Sequence, residues 1–205
     1  MSYRTLKKSA EYSITERKSE FIGYCAPVKT EEEAIAFVNA IKKKHSDARH
    51  NVYAYVLREG YKERFSDDGE PHGTAGMPVL DSIRKAGLTD TAVVVTRYFG
   101  GILLGTGGLV RAYTAAAVGA LNEGGVAEIG EFALVSAKAG YSEYQKLMPL
   151  ISSRNAKVKD SDFGSDVRLT LMVKKDEANR FIEEVTDATN GRVLLEIVGE
   201  VTDFI

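Results

Sequence analysis

The fold of the first half of the chain is decided by residues 91–113, which read TAVVVTRYFGGILLGTGGLVRAY. Thr91–Tyr98 is a short run rich in β-branched residues, which is typical of a buried strand. A cluster of glycines follows, and the Ala-rich residues Leu109–Leu121 then predict a closely packed helix. We therefore expect a strand that enters a glycine-rich loop and leaves it as a helix.

The flanking residues extend this pattern into a mixed α/β unit. Phe21–Val28 and Asn51–Leu57 predict strands, and Thr74–Ala86 predicts a helix. Thr30, with Glu33 three residues later, forms a capping box that starts a helix ending at Lys42–Lys44, which we expect to be solvated. The polar, glycine-containing residues 59–73 predict a loop.

The second half has a complete pattern of its own. Gly124-Gly125 signals the end of a helix, after which strands are predicted at Phe132–Ala139, Ala156–Asp160, Val167–Lys174 and Val193–Val198, with a turn at residues 162–164 and helices at Ser142–Arg154 and Asp176–Thr189. This β-α-β-β-α-β order is the split βαβ pattern of ferredoxin-like domains. We expect an α+β protein with one domain at residues 1–128 and a second at 131–205.

Composition excludes several classes of protein. The 205 residues carry 27 Lys+Arg and 29 Asp+Glu, a net charge of −2, with 44% hydrophobic residues, so disorder and binding of nucleic acid by bulk charge are disfavoured. The longest charge-free run of the glycine-rich centre, residues 98–110, is shorter than the ~20 residues of a membrane helix. The N-terminus lacks an apolar signal core, and Cys25 has no second cysteine to pair with. We expect a cytoplasmic protein with no membrane association.

The first stretch with candidate chemistry is the polar loop of residues 66–76, which leads into the helix predicted from Thr74. It places Asp67, Asp68, Glu70 and His72 within six residues. A polar binding site is one interpretation, and a solvated turn with helix-capping residues is the other. The loop has no metal-ligand spacing, so no metal site is predicted.

The second stretch is the glycine-rich segment of residues 97–111. Unhindered backbone N–H groups at a helix N-terminus bind anions, and Arg97 and Arg111 flank the loop and suit a phosphate. The alternative is that the glycines serve only positive φ angles and close packing. The segment matches no P-loop or dinucleotide motif. Our phosphate or RNA candidates are Arg97, Gly100, Gly101, Gly105, Thr106, Gly107, Gly108 and Arg111, with Asp67, Asp68, Glu70, His72 and Thr74 as a polar loop of the same site.

We expect the two stretches to meet, with an ion pair between Arg97 and a carboxylate holding the loop in place. No nucleophile motif is found, so no catalytic residue is assigned and no cofactor is predicted. His45 and His50 are assigned to capping or solvation rather than to metal binding.

These stretches resemble the IMPACT family, in its bacterial YigZ-like branch. The matching segments are Lys18-Ser19-Glu20-Phe21-Ile22, Asp67-Asp68-Gly69-Glu70-Pro71-His72-Gly73-Thr74-Ala75-Gly76, Val94-Val95-Thr96-Arg97-Tyr98-Phe99-Gly100-Gly101 and Gly105-Thr106-Gly107-Gly108-Leu109-Val110-Arg111-Ala112-Tyr113. The resemblance implies a first domain like domain 2 of ribosomal protein S5, followed by a ferredoxin-like domain, a pairing similar to two domains of the translocase elongation factor. It also implies a role in translational control, which eukaryotic relatives with an additional RWD domain exert by competing for a scaffold protein.

Three functions follow as hypotheses. The first is a non-enzymatic factor that binds RNA or a component of the ribosome, with a possible protein partner in translational control. The second is an enzyme acting on a phosphorylated small molecule, because the S5-like fold also hosts kinases whose glycine-rich loop holds ATP phosphates. The third is a protein-interaction module whose motifs only maintain the fold.

Overall fold

The computed structural model describes residues 2–204, which form two compact units, one of Tyr3–Glu128 and one that begins at Ile129. The strands are β1 (Tyr3–Leu6), β2 (Ala10–Glu16), β3 (Ser19–Pro27), β4 (His50–Leu57), β5 (Lys62–Ser66), β6 (Thr91–Tyr98), β7 (Val126–Ala139), β8 (Lys157–Phe163), β9 (Val167–Lys174) and β10 (Leu194–Phe204). The helices are α1 (Glu31–Lys44), α2 (Gly76–Lys85), α3 (Thr106–Gly124), α4 (Tyr141–Ser153) and α5 (Ala178–Thr189), with a 3₁₀ turn at Glu59–Tyr61.

The first unit is an antiparallel sheet in the order β2-β3-β6-β4-β5 with helices on both faces. Val93 and Val95 of β6 belong to the cluster that includes α2 and α3, whereas Val94 packs with residues of α1 on the opposite face. Because β6 is buried on both faces, its central residues 92–95 are a continuous apolar run rather than an alternating pattern. Arg97 and Tyr98 lie at the C-terminal end of this central strand, where the glycine-rich loop begins.

The second unit has the sheet order β10-β7-β9-β8, with every neighbouring pair antiparallel. Its core joins Val135 and Leu171 of the sheet to Leu147 of α4 and Phe181 of α5. The chain order β7-α4-β8-β9-α5-β10 with this strand order is the ferredoxin-like arrangement. The α+β class, with an S5 domain 2-like unit followed by a ferredoxin-like unit, is confirmed in its element order.

Some local expectations were wrong. Residues 62–66 form edge strand β5 rather than part of a loop, and the signal was hidden because this exposed strand pairs only with β4 and carries charged side chains. The turn between β8 and β9 lies beyond Phe163, which pairs with Val167, so residues 162 and 163 are still strand. β7 begins at Val126, six residues before the expected start, and so spans the boundary between the units.

No helix within residues 2–204 combines the length and the apolar character needed to cross a membrane.

Candidate functional site

Asp67 acts as the cap of α2. Its carboxylate accepts backbone N–H hydrogen bonds from Gly73 (2.9 Å), Ala75 (3.2 Å) and Gly76 (2.8 Å). Burial alone would raise the pKa of Asp67, but the three N–H donors favour the ionised form and hold the pKa below its usual value. Asp67 therefore fixes the start of the helix, in agreement with the capping interpretation of this residue.

Asp68 ties the loop to two other elements. Its carboxylate accepts hydrogen bonds from Lys42 Nζ of α1 and from the backbone N–H of Asn51 in β4, each at 2.7 Å. Its carbonyl oxygen accepts from His50 Nδ1 at 2.9 Å, so that nitrogen carries the proton. The expectation that Lys42 is a solvated helix end was wrong, as was the assignment of His50 to capping or solvation.

Glu70 lies at the centre of a buried polar cluster. Its Oε1 accepts hydrogen bonds from Arg97 Nη1 and from the hydroxyl of Tyr113, both at 2.7 Å. The Arg97 and Glu70 side chains are only 7% and 4% exposed. Burial, together with the adjacent Glu70 carboxylate, raises the pKa of Tyr113 far above its ordinary range. The predicted pair between Arg97 and a carboxylate is confirmed, and it joins the two stretches directly.

Arg97 is further held by two aromatic rings. Its guanidinium carbon lies 5.4 Å from the ring centre of Phe21 and 5.5 Å from that of Phe99, within cation–π range. Its Nε is buried and has no hydrogen-bond partner among the described residues. Arg97 is therefore a buried residue that stabilises the two loops, and it is not an exposed ligand for phosphate.

The glycine-rich loop is anchored at one end and open at the other. The N–H of Gly100 donates to Ser19 Oγ at 3.1 Å, and a Cβ at Gly100 would lie 2.0 Å from the backbone of Lys18, so only glycine fits there. Gly105 adopts φ +72° as the residue that precedes α3, and a Cβ there would meet no atom within 4 Å. The loop is thus fixed by close packing at Gly100 and exposed to solvent around Gly105.

The first turn of α3 carries no side-chain cap and no acidic residue. The leading N–H groups of a helix have no intrahelical acceptor, and here they belong to the exposed residues Thr106 and Gly107 and the half-buried Gly108. Arg111 is exposed, and its Nη1 lies 3.6 Å from the position that a Cβ on Gly107 would take. The helix dipole and this guanidinium both favour an anion at this point.

A second basic segment lies against the loop. Arg17 and Lys18 form the tight turn between β2 and β3, both with positive φ, and Arg17 Nη1 donates to the carbonyl of Leu103 at 3.3 Å. Three apolar side chains of the loop are exposed beside this turn: Phe99 at 45%, Ile102 at 41% and Leu103 at 80%. We call Arg17, Lys18, Phe99, the first turn of α3 and Arg111 the loop surface.

The candidate residues thus fall into an interior group and an exposed group. Glu70, Thr74 and Arg97 are buried, Asp67, Asp68 and Gly100 are half-buried, and the rest apart from Gly108 are exposed: Gly101, Gly105, Thr106, Gly107, Arg111 and His72. Thr74 donates its hydroxyl to the carbonyl of Pro71, and His72 lies 3.8 Å from Asp67. Sequence reasoning missed Tyr113 and Lys42 as partners of the loop, and it missed the turn at Arg17.

Fold and site together define a class of two-unit α+β proteins in which a buried carboxylate–arginine pair holds a glycine-rich loop at the surface. Residues 17–121 match the Impact N-terminal domain, and residues 138–192 match a domain of unknown function, DUF1949. The chain belongs to the IMPACT family.

Relatives support this membership along most of the chain. IMPACT family member YvyE of Bacillus subtilis is 41% identical, over 93% of this chain and 88% of its own. IMPACT family member YigZ of Escherichia coli is 33% identical, over 90% and 92%. Protein IMPACT of Oryctolagus cuniculus is 38% identical over 45% of this chain and 30% of its own. A solved crystal structure, described only as that of a hypothetical protein, superposes with a TM-score of 0.62 at 31% identity, covering 97% of this chain and 98% of that one.

Proposed function

We propose that this chain is a non-enzymatic, translation-associated factor that binds RNA on the ribosome or on a ribosome-associated component in the cytoplasm. The observation that carries the proposal is the uncapped, acid-free first turn of α3, with Arg111 folded towards it and the Arg17–Lys18 turn against the same loop. Family membership supports the translational context, because eukaryotic relatives are implied to act in translational control.

Charge distribution supports a local RNA contact in a chain whose net charge is −2. Three cations of the loop surface, Arg17, Lys18 and Arg111, are available to phosphates, and backbone N–H groups of α3 add donors without carrying sequence information. So few contacts give weak binding to free RNA, and tight binding requires a structured partner such as the ribosome.

The polar loop supports binding rather than metal-assisted catalysis. Asp67 is occupied by three backbone N–H donors, and Asp68 by Lys42 and Asn51. Carboxylates that already serve internal donors are poor ligands for an incoming Mg²⁺, because binding the ion would release the loop and the start of α2.

The test is the salt dependence of binding to a labelled single-stranded RNA oligonucleotide, followed by fluorescence anisotropy. Three phosphate contacts predict a slope of log K against log salt of about −2, and Arg111→Ala should flatten it by about 0.7. Lys43→Ala removes the same charge from an exposed position at the end of α1 and should change neither affinity nor slope.

An assay of nucleotide hydrolysis with Mg²⁺ separates this proposal from the enzyme hypothesis. Turnover that vanishes in Asp68→Asn, together with no RNA retention at ~50 mM salt, would overturn the RNA proposal in favour of an enzyme. Failure of both assays would leave the protein-interaction hypothesis.

A further inference from the structure

Phe99 is an aromatic side chain placed in solvent directly after the most buried strand of the molecule. Residues 91–97 of β6 are all buried, whereas Phe99 is 45% exposed. With Ile102 at 41% and Leu103 at 80%, Phe99 makes this loop a local concentration of exposed apolar side chains, which marks a contact surface when charged groups lie around it. Here the Arg97 guanidinium contacts the ring, the backbone of Lys18 lies against the next residue, Gly100, and Arg17 donates to the carbonyl of Leu103 in the same loop.

One face of the Phe99 ring is in contact with the Arg97 guanidinium. The Arg97 guanidinium carbon lies 5.5 Å from the ring centre, and Arg97 is itself fixed by its 2.7 Å hydrogen bond to Glu70 and by its contact with the Phe21 ring. Among residues 2–204 no second aromatic ring or cation contacts Phe99. One side of the ring therefore lies on a buried cation.

The backbone around the ring is equally constrained. Tyr98 ends β6, where it pairs with Glu20, and Gly100 is locked against Lys18 and bonded to Ser19. Phe99 thus stands between two fixed neighbours, and little conformational entropy is lost when a ligand covers it. Beyond it, Gly101 leaves open space where a Cβ would meet nothing within 4 Å.

We propose that Phe99 is a stacking platform for one unpaired base of a single-stranded RNA, with the phosphates on either side held by Arg111 and by the Arg17–Lys18 turn. Stacking on an aromatic ring needs a base taken out of a helix, so the RNA class is a single strand or a loop rather than a duplex. This inference rests on the proposed function and names the RNA that the same surface would bind.

The experiment compares the full-length protein with Phe99→Leu, Phe99→Tyr and Tyr61→Leu on two probes. The first probe is a labelled single-stranded RNA, and the second is an abasic oligonucleotide of the same length with the same phosphates. Tyr61 is the matched control because it is 93% exposed and lies at the other end of the sheet: β4 pairs His50 with Arg97 and Val56 with Thr91, and Tyr61 follows β4.

We expect Phe99→Leu to weaken binding to the RNA about fivefold or more, without changing the salt slope, because stacking releases no counterions. Phe99→Tyr should keep wild-type affinity, and Tyr61→Leu should behave as wild type. On the abasic probe, all four proteins should bind equally and less tightly than wild type binds RNA. Hydrogen exchange of β6 should match wild type in Phe99→Leu, which shows that the fold is intact.

Three other results would overturn the inference. Equal RNA affinity of Phe99→Leu and wild type, with Arg111→Ala still weakened, refutes the platform and leaves the proposed function standing. An equal loss on both probes shows that the ring acts through loop structure rather than through a base. Absence of RNA binding by the wild type refutes the proposed function itself.

Discussion

Removing the charge of Glu70 is the perturbation that most directly tests how the loop is held. Glu70→Gln keeps the size of the side chain and an oxygen for Tyr113, but it leaves the Arg97 guanidinium, 7% exposed, without its carboxylate. Removing one partner of a buried ion pair costs about 3–5 kcal/mol, because the remaining charge is uncompensated. We expect Glu70→Gln to lower the free energy of unfolding of the first unit by about 3 kcal/mol.

A double-mutant cycle separates the pair from general disruption. Arg97→Met alone leaves the buried Glu70 carboxylate without its cation and should lower the free energy of unfolding by a similar amount. The double variant removes both charges and should lower the free energy of unfolding by no more than either single variant. The coupling free energy should therefore be about 3 kcal/mol.

Hydrogen exchange measured by mass spectrometry suits this cycle, because the chain has no tryptophan and its two units need separate reporters. Peptides from β6 and α3 report the change, and peptides from β9 should be unaffected. Additivity of the two single variants within about 0.5 kcal/mol would show that Arg97 and Glu70 do not act as a pair.

Three further predictions concern other parts of the chain. Burial and the adjacent Lys44 charge lower the pKa of His45 below its free value of about 6.5. The stability that neutral His45 contributes should be complete above that pH and should be lost as the pH falls towards the pKa of His45 in the folded state. His45→Gln should therefore reduce the decline of the free energy of unfolding between pH 7 and pH 5. Cys25 donates to the Ala120 carbonyl at 3.1 Å, and burial raises its pKa to about 11, so a thiol reagent should label it only as fast as the first unit opens; rapid labelling of the native protein would contradict this. A fragment of residues 129–205 should fold cooperatively with dispersed amide resonances, and a random-coil spectrum would count against an independent second unit.

The sequence predicted those elements whose pattern follows from burial. Residues 92–95 of β6 are apolar without a break because both faces of the strand are covered, and β7 of the second unit alternates because only one of its faces is covered. β5 was missed because an edge strand with exposed charged side chains has the composition of a loop. The residue pattern therefore predicts a strand only where at least one face of that strand is buried in the core.

Part of the candidate site could also be predicted from the sequence. The juxtaposition of an arginine and a carboxylate was expected from their types, but their burial was not, since it depends on Phe21 from β3 and Tyr113 from the second turn of α3. The Lys42–Asp68 pair joins residues far apart in the chain, and no spacing rule connects them. Helix and strand periodicity give the direction of a side chain within its element, whereas such partners are set by how elements pack.

Sedimentation of the protein with ribosomes from native lysate, at low and high salt, tests whether the loop surface binds the ribosome. We expect the wild-type chain to migrate with ribosomal fractions at ~50 mM salt and to be released as the salt concentration rises, and we expect Arg111→Ala to be released at lower salt than Lys43→Ala. A wild-type chain that stays at the top of the gradient at low salt, or an Arg111→Ala variant that sediments as the wild type does at every salt concentration, would contradict this expectation.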